Sequence, residues 1–187
     1  FAVYVVPRKG VLPLIRALRL VRDQIPEAHL RIAGSLAINP AYARACQRCV
    51  RELDLEDSVA FLGQLPQGQM LQEYASCATF VLPSFQETAP VAIEQAMAAG
   101  VPSVATRAGG IPWMLEEGLT GLTLPLPRFP EGDPVALSQA ILRLLRDTEG
   151  AGRMGQRAND EADRRFRPEI VARRTWEVYQ QVIEASR

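Results

Sequence analysis

The stretch from Phe80 to Thr106 constrains the fold most. An apolar run at 79–82 ends at Pro83, a polar turn covers Ser84 to Glu87, a helix-forming segment runs to Gly100, and Val101 to Ala105 is apolar again. This order predicts a strand, a turn, a helix and a second buried strand. Thr88 is the expected N-cap, with Pro90 in the first turn, so that backbone N–H groups point into the turn beside the Glu87 carboxylate. A helix start of this kind attracts anions and hydroxyl-rich ligands. Ala89, Ala92, Ala96, Ala98 and Ala99 keep the helix slim, which lets it lie close to a sheet.

The rest of the chain repeats the rhythm. Phe1 to Val6, Leu30 to Ala33, Ser58 to Leu62 and Leu122 to Leu124 read as further strands. Between them, Val11, Leu14, Ile15, Leu18, Val21 and Ile25 mark one face of a helix that Pro26 ends. A second helix runs from the Asn39-Pro40 turn to Leu53, and a short one from Pro66 to Ser76. Arg107 to Pro112 is a turn into a short helix ending at Gly118. Leu126 to Asp133 is a loop, and Asp133-Pro134 opens a helix through Leu145 by the cap-then-proline rule. Gly150 to Arg165 reads as a charged helix with little apolar face. Pro168 starts the last helix, with Val171, Thr175, Val178, Tyr179, Val182 and Ile183 on one side. Strands alternating with helices predict an α/β fold: a doubly wound, Rossmann-like parallel sheet of about six strands with helices on both faces. Ligands bind such sheets at the carboxyl ends of the strands.

With 187 residues, 48% of them apolar, the chain can build a substantial core, and residues 1–187 read as a single domain. Its 21 basic and 21 acidic residues cancel, which argues against a nucleic-acid surface as partner. No apolar run approaches the roughly 20 residues that span a bilayer. Three cysteines do not make a disulfide framework and fit a reducing compartment, so the expectation is cytoplasmic. Cys46 and Cys49 fall inside a helical segment without a second ligand pair, and no metal site is expected. His29 reads as structural. Because the chain opens inside an apolar run, it reads as part of a longer protein.

Two residues stand where chemistry is expected. Lys9 lies between the first strand and first helix, where an ammonium meets a diphosphate entering at the helix start. Glu87 offers a carboxylate to vicinal hydroxyls, and charge-assisted bonds of this kind contribute about 1.5–3 kcal/mol each.

The 80–106 stretch resembles the donor-binding signature of retaining GT-B glycosyltransferases, the large mannosyltransferase and sucrose-synthase-like family. The family form is Pro-Ser-x-x-Glu, a spacer, then Glu-Ala-Met-Ala-x-Gly-x-Pro-Val-Val-Ala. Here Pro83-Ser84 and Glu87 match, as do Ala96-Met97-Ala98 and Gly100, while the second acid falls on Gln95 and Glu94 sits one place early. The resemblance extends over the whole chain, including Arg165-Phe166 and the closing amphipathic helix.

It implies the donor-binding, C-terminal half of an enzyme whose N-terminal half packs across the cleft and holds the acceptor, whether glycan, lipid or small molecule. The donor would be a nucleoside diphosphate sugar, transferred with retention and without cofactor or bound metal. Alone, the domain is expected to bind donor weakly and transfer little or nothing. Lys9 and Glu87 would be the catalytic residues, Lys9 on the diphosphate and Glu87 on the sugar hydroxyls. Gly10 completes the Lys-Gly pair, while the family's arginine falls on Tyr4, with Arg8 as the nearby substitute. Thr88 and Ala89 would offer backbone N–H groups, and Gln95 would hold the ribose with a loss of order 1 kcal/mol relative to an acid. Gly63 would precede the nucleobase loop, and Gly109-Gly110 would let the donor approach the backbone. The family acid after Ile-Pro is Trp113 here. A peripheral place at the cytoplasmic membrane face stays open for the full-length protein. Departures at Tyr4, Gln95 and Trp113 also fit a decayed domain kept for binding or assembly. A dehydrogenase is disfavoured, since no Gly-x-Gly-x-x-Gly follows the first strand.

Overall fold

A computed structural model describes residues 4–186. Helices and strands alternate: α1 (Val11–Arg22), β1 (Leu30–Ala33), α2 (Pro40–Glu52), β2 (Val59–Gly63), α3 (Gln67–Ser76), β3 (Phe80–Leu82), α4 (Val91–Ala98), β4 (Ser103–Thr106), α5 (Ile111–Met114), β5 (Gly121–Leu124), α6 (Pro134–Arg146), α7 (Thr148–Arg165) and α8 (Pro168–Ala185). Every described strand pair is parallel. The ladders are β1-β2 and β3-β4-β5, with Leu30 opposite Val59, Phe80 opposite Ser103, and Ser103 opposite Gly121.

Five strands are described where about six were expected. The first expected strand begins on residues 1–3, which lie outside the described residues. Its remainder, Tyr4 to Val6, joins no ladder. Val5 is fully buried and donates its N–H to the Ser35 carbonyl beyond β1, while Phe85 beyond β3 donates to the Arg8 carbonyl. Residues 5–8 thus tie together the carboxyl ends of β1 and β3.

Alternation along the strands separates two cores. Val81, Val104 and Leu122 face a cluster built from α1, α2 and α6, whereas Phe80, Leu82 and Ala105 face one built from α3, α4 and α5. A period of two on a buried strand sends successive side chains to opposite faces, so helices cover both sides and the doubly wound reading holds. Asn39 caps α2 through Tyr42 N–H, and Asp133 caps α6 through Ala136 N–H, as the Asx-Pro pairs predict.

Several boundaries move. Helix α4 starts at Val91 with Pro90 as its N-cap, so Thr88 is not the cap. Proline disfavours helical backbone in the residue before it, here Ala89, and this carries the turn past Thr88. Helix α5 stops at Met114, because Leu115 is extended. Among the described residues no helix is long and apolar enough to cross a membrane.

Candidate functional site

Two turns meet at the carboxyl ends of the strands. Residues Pro7–Lys9 form one turn of 3-10 helix, closed by Gly10 in the left-handed region at φ 70°. A Cβ on Gly10 would lie 2.1 Å from the Pro83 carbonyl oxygen, so the turn sits directly on the end of β3. The Arg8 carbonyl accepts the Phe85 N–H at 2.8 Å, locking this turn to the one that carries Glu87.

The result is an ion pair that the sequence does not show. Lys9 Nζ donates to Glu87 Oε1 at 2.6 Å, and only 8% and 5% of the two side chains are exposed. Buried charges of opposite sign stabilise each other only as a pair, and removing one partner costs about 3–5 kcal/mol. Sequence reasoning treats Lys9 and Glu87 as separate candidates. In the structure they are one unit, and the Lys9 ammonium keeps two further N–H groups for a ligand.

Gly109 and Gly110 brace that unit from below. Gly109 has φ 52°, and a Cβ there would fall 1.7 Å from the Glu87 carbonyl oxygen; one on Gly110 would fall 2.2 Å from that of Thr88. The Gly110 N–H donates to the Thr88 carbonyl at 2.7 Å. The space left by the missing side chains is therefore taken by the 87–88 backbone rather than left for a ligand.

Two hollows open above the pair. One, of about 510 Å³, is lined by Arg8, Lys9, Gln86, Glu87, Thr88, Ala89 and Pro90. The other, of about 470 Å³, shares Arg8, Lys9 and Pro90 and continues past Ser35, Gln64, Leu65 and Tyr74 to Gln95. Both volumes lie within the range of small-ligand sites. The exposed Arg8 guanidinium has no ion-pair partner among the described residues. The first N–H groups of α4, left over by the helix ladder, lie at Val91 and Ala92, which also line the second hollow.

Arg8, Lys9, Glu87, Thr88, Ala89 and Gln95 thus come together as the sequence suggests. Gly10, Gly109 and Gly110 shape the floor without lining it, and Gly63 sits one residue before the lining pair Gln64 and Leu65. Trp113 is elsewhere: the residue is 80% exposed and its carbonyl accepts from Arg165. Ser35 and Gln64 lie in loops that follow β1 and β2, where the sequence places the ligand without singling them out, whereas Tyr74 is missed altogether. A tyrosine inside an apolar helix face gives no sign of where its hydroxyl ends. Among the described residues no cluster of three His, Cys, Asp or Glu side chains could hold a metal ion.

A parallel, doubly wound domain with a groove at its strand ends lined by Arg8, Lys9, Glu87 and Gln95 is of the Rossmann-like α/β class. The chain goes further than the class: residues 2–147 match the model of the family described as Glycosyl transferases group 1, and the chain belongs to that family. The D-inositol 3-phosphate glycosyltransferase of Corynebacterium glutamicum (strain R) is 31% identical over 158 residues, 83% of this chain and 37% of that protein. Among solved structures, the sucrose-phosphate synthase of Thermosynechococcus elongatus aligns with TM-score 0.84 and 28% identity over 98% of this chain and 45% of that one. HepE from Anabaena, solved in complex with UDP and glucose, gives TM-score 0.85 and 26% identity over 97% and 48%. The chain therefore spans less than half the length of these relatives. The GT-B resemblance drawn from 80–106 stands on all three.

Proposed function

We propose that this chain is the donor-binding, C-terminal half of a retaining glycosyltransferase that uses a nucleoside diphosphate sugar. The observation that carries the reading is the buried Lys9–Glu87 pair at the mouth of the groove. It holds a cation and a carboxylate in fixed places before ligand arrives, the preorganisation that stabilises charge developing on a leaving group. Lys9, with Arg8 and the first amides of α4, would neutralise the diphosphate, so the transfer needs no bound metal. The free Glu87 oxygen would orient the sugar hydroxyls, and Gln95 would hold the ribose further along the groove. HepE, whose structures carry UDP and UDP-glucose, supports a nucleotide sugar as ligand. The remaining length of the relatives supports a second domain across the cleft, where the acceptor would bind, and an isolated domain that transfers little.

Calorimetric titration of the chain with UDP, GDP and ADP tests this. One nucleotide should bind saturably, and Arg8→Ala, an exposed position, should weaken it about tenfold, the loss of one charge-assisted contact. Lys9→Arg keeps the charge balance of the buried pair and serves as the folded control beside Lys9→Ala, which strands Glu87 in the interior. The departures at Tyr4, Gln95 and Trp113 favour one second reading, a domain that has lost catalysis and is kept for assembly. A folded chain that binds none of the three nucleotides at millimolar concentration would decide for it.

A further inference from the structure

The Gln95 amide meets a buried hydroxyl at its oxygen end. The Tyr74 side chain rises from α3 through the core, 2% exposed, with its ring packed against Phe80 at 5.5 Å between centroids. Its hydroxyl reaches α4, where Ala92 O and Gln95 Oε1 both lie at 3.3 Å. Burial pushes the phenol above its ordinary pKa, so the group keeps its proton and donates. That single proton has two acceptors. The Ala92 carbonyl already receives the helical N–H of Ala96, whereas the Gln95 oxygen has no other partner among the described residues. In the structure the amide turns its oxygen, rather than its nitrogen, to the hydroxyl.

A carboxamide has one acceptor oxygen and two N–H donors on its nitrogen. With the oxygen turned towards Tyr74, the half-buried Gln95 offers N–H to the groove it lines with Arg8, Lys9, Ser35 and Gln64. We infer that Tyr74 is a positioning residue which fixes the Gln95 amide with its N–H groups towards the groove, so that this subsite donates to an acceptor oxygen on the ligand. The inference rests on the donor-site reading, in which the ligand group here is the ribose. A glutamate at this place would do the reverse: one oxygen would take the Tyr74 proton, and the other would demand a hydroxyl that donates. Tyr74 and Gln95 together therefore change what the ribose must supply, from a hydrogen to a lone pair.

O-methylated riboses separate the two cases, because a methoxy oxygen accepts but cannot donate. UDP, GDP and ADP, each with its 2′-O-methyl and 3′-O-methyl forms, are titrated into the chain and into Tyr74→Phe and Gln95→Glu. In the unmodified chain the methyl ether and the parent should bind within about twofold of each other, whereas Gln95→Glu should favour the parent about tenfold. Tyr74→Phe keeps the ring and frees the amide to turn, so the preference for the parent should rise about threefold with the fold intact. A purely structural Tyr74 would lower the melting temperature and leave the ratio of the two ligands unmoved, which overturns the inference. So does an unmodified chain that rejects the methyl ethers as strongly as Gln95→Glu. Binding of no nucleotide by any folded variant overturns the donor-site reading itself, and this inference with it.

Discussion

Helices α7 and α8 are each 18 residues long and follow one another, yet α7 buries Ala151, Met154, Gly155, Ala158 and Ala162, and α8 buries no side chain. The composition suggests the opposite. Helix α7 is crowded with charge, while α8 carries Val171, Trp176, Val178, Tyr179, Val182 and Ile183, all about half exposed or more. The reason lies in side-chain size. Apart from Met154, the buried positions of α7 are alanine or glycine, and small residues let backbones approach. Ala151 and Met154 join the core on one face of the sheet, and Ala158 and Ala162 join the core on the other, so this helix clasps both layers. Apolar content measures what a helix gains if it is covered. Close approach decides whether it is.

Gly155 is the place to break that contrast. An added Cβ there would meet the Gly100 carbonyl oxygen at 2.0 Å, and neither backbone has a flexible end that can give way. Gly155→Val should push α7 off α4 and destabilise the domain by about 3 kcal/mol, at the upper end of overpacking costs and a large share of a domain's stability. Urea denaturation followed by circular dichroism reads the effect. A loss below about 1 kcal/mol would mean that α7 is held by its ends rather than by this contact.

The same difference explains what the sequence does and does not reveal. The alternation of helix and strand, the stop at Gly100 and the caps at Asn39 and Asp133 follow from local chemistry, and the structure keeps them. The candidate site is legible to the extent that it depends on residue type: a cation at Lys9, an acid at Glu87 and a polar side chain at Gln95. What stays hidden depends on distance through space. That Lys9 and Glu87 share one hydrogen bond, that the Tyr74 hydroxyl reaches Gln95 and that Gly109-Gly110 underlies the Glu87 backbone all involve partners from different elements. The late start of α4 is a local miss, since Pro90 carries the signal.

A smaller effect sharpens the comparison at the other end of the α4–α7 contact. Asn159 Nδ2 donates to the Ala98 carbonyl at 2.6 Å, satisfying one of the acceptors that the end of α4 leaves open. Asn159→Ala should cost about 1 kcal/mol, the net worth of one hydrogen bond at an exposed site. Combined with Gly155→Val it should cost less than the sum, because a displaced α7 no longer reaches Ala98. A double-mutant cycle in urea reads this coupling, and strict additivity would show that the two contacts act independently.

The smallest effect belongs to α8. Val178 and Ile183 are each 54% exposed, so serine at either removes little that is shielded from water in this chain. Val178→Ser and Ile183→Ser should each change stability by no more than about 0.5 kcal/mol, the range of surface substitutions remote from packing. Serine at a half-exposed helix position also forfeits little propensity relative to valine or isoleucine. If either substitution instead costs more than about 1 kcal/mol, α8 packs against the domain in solution, and its apolar face is already used. The contrast with α7 would then be one of degree, with large side chains sealing one contact and small ones the other.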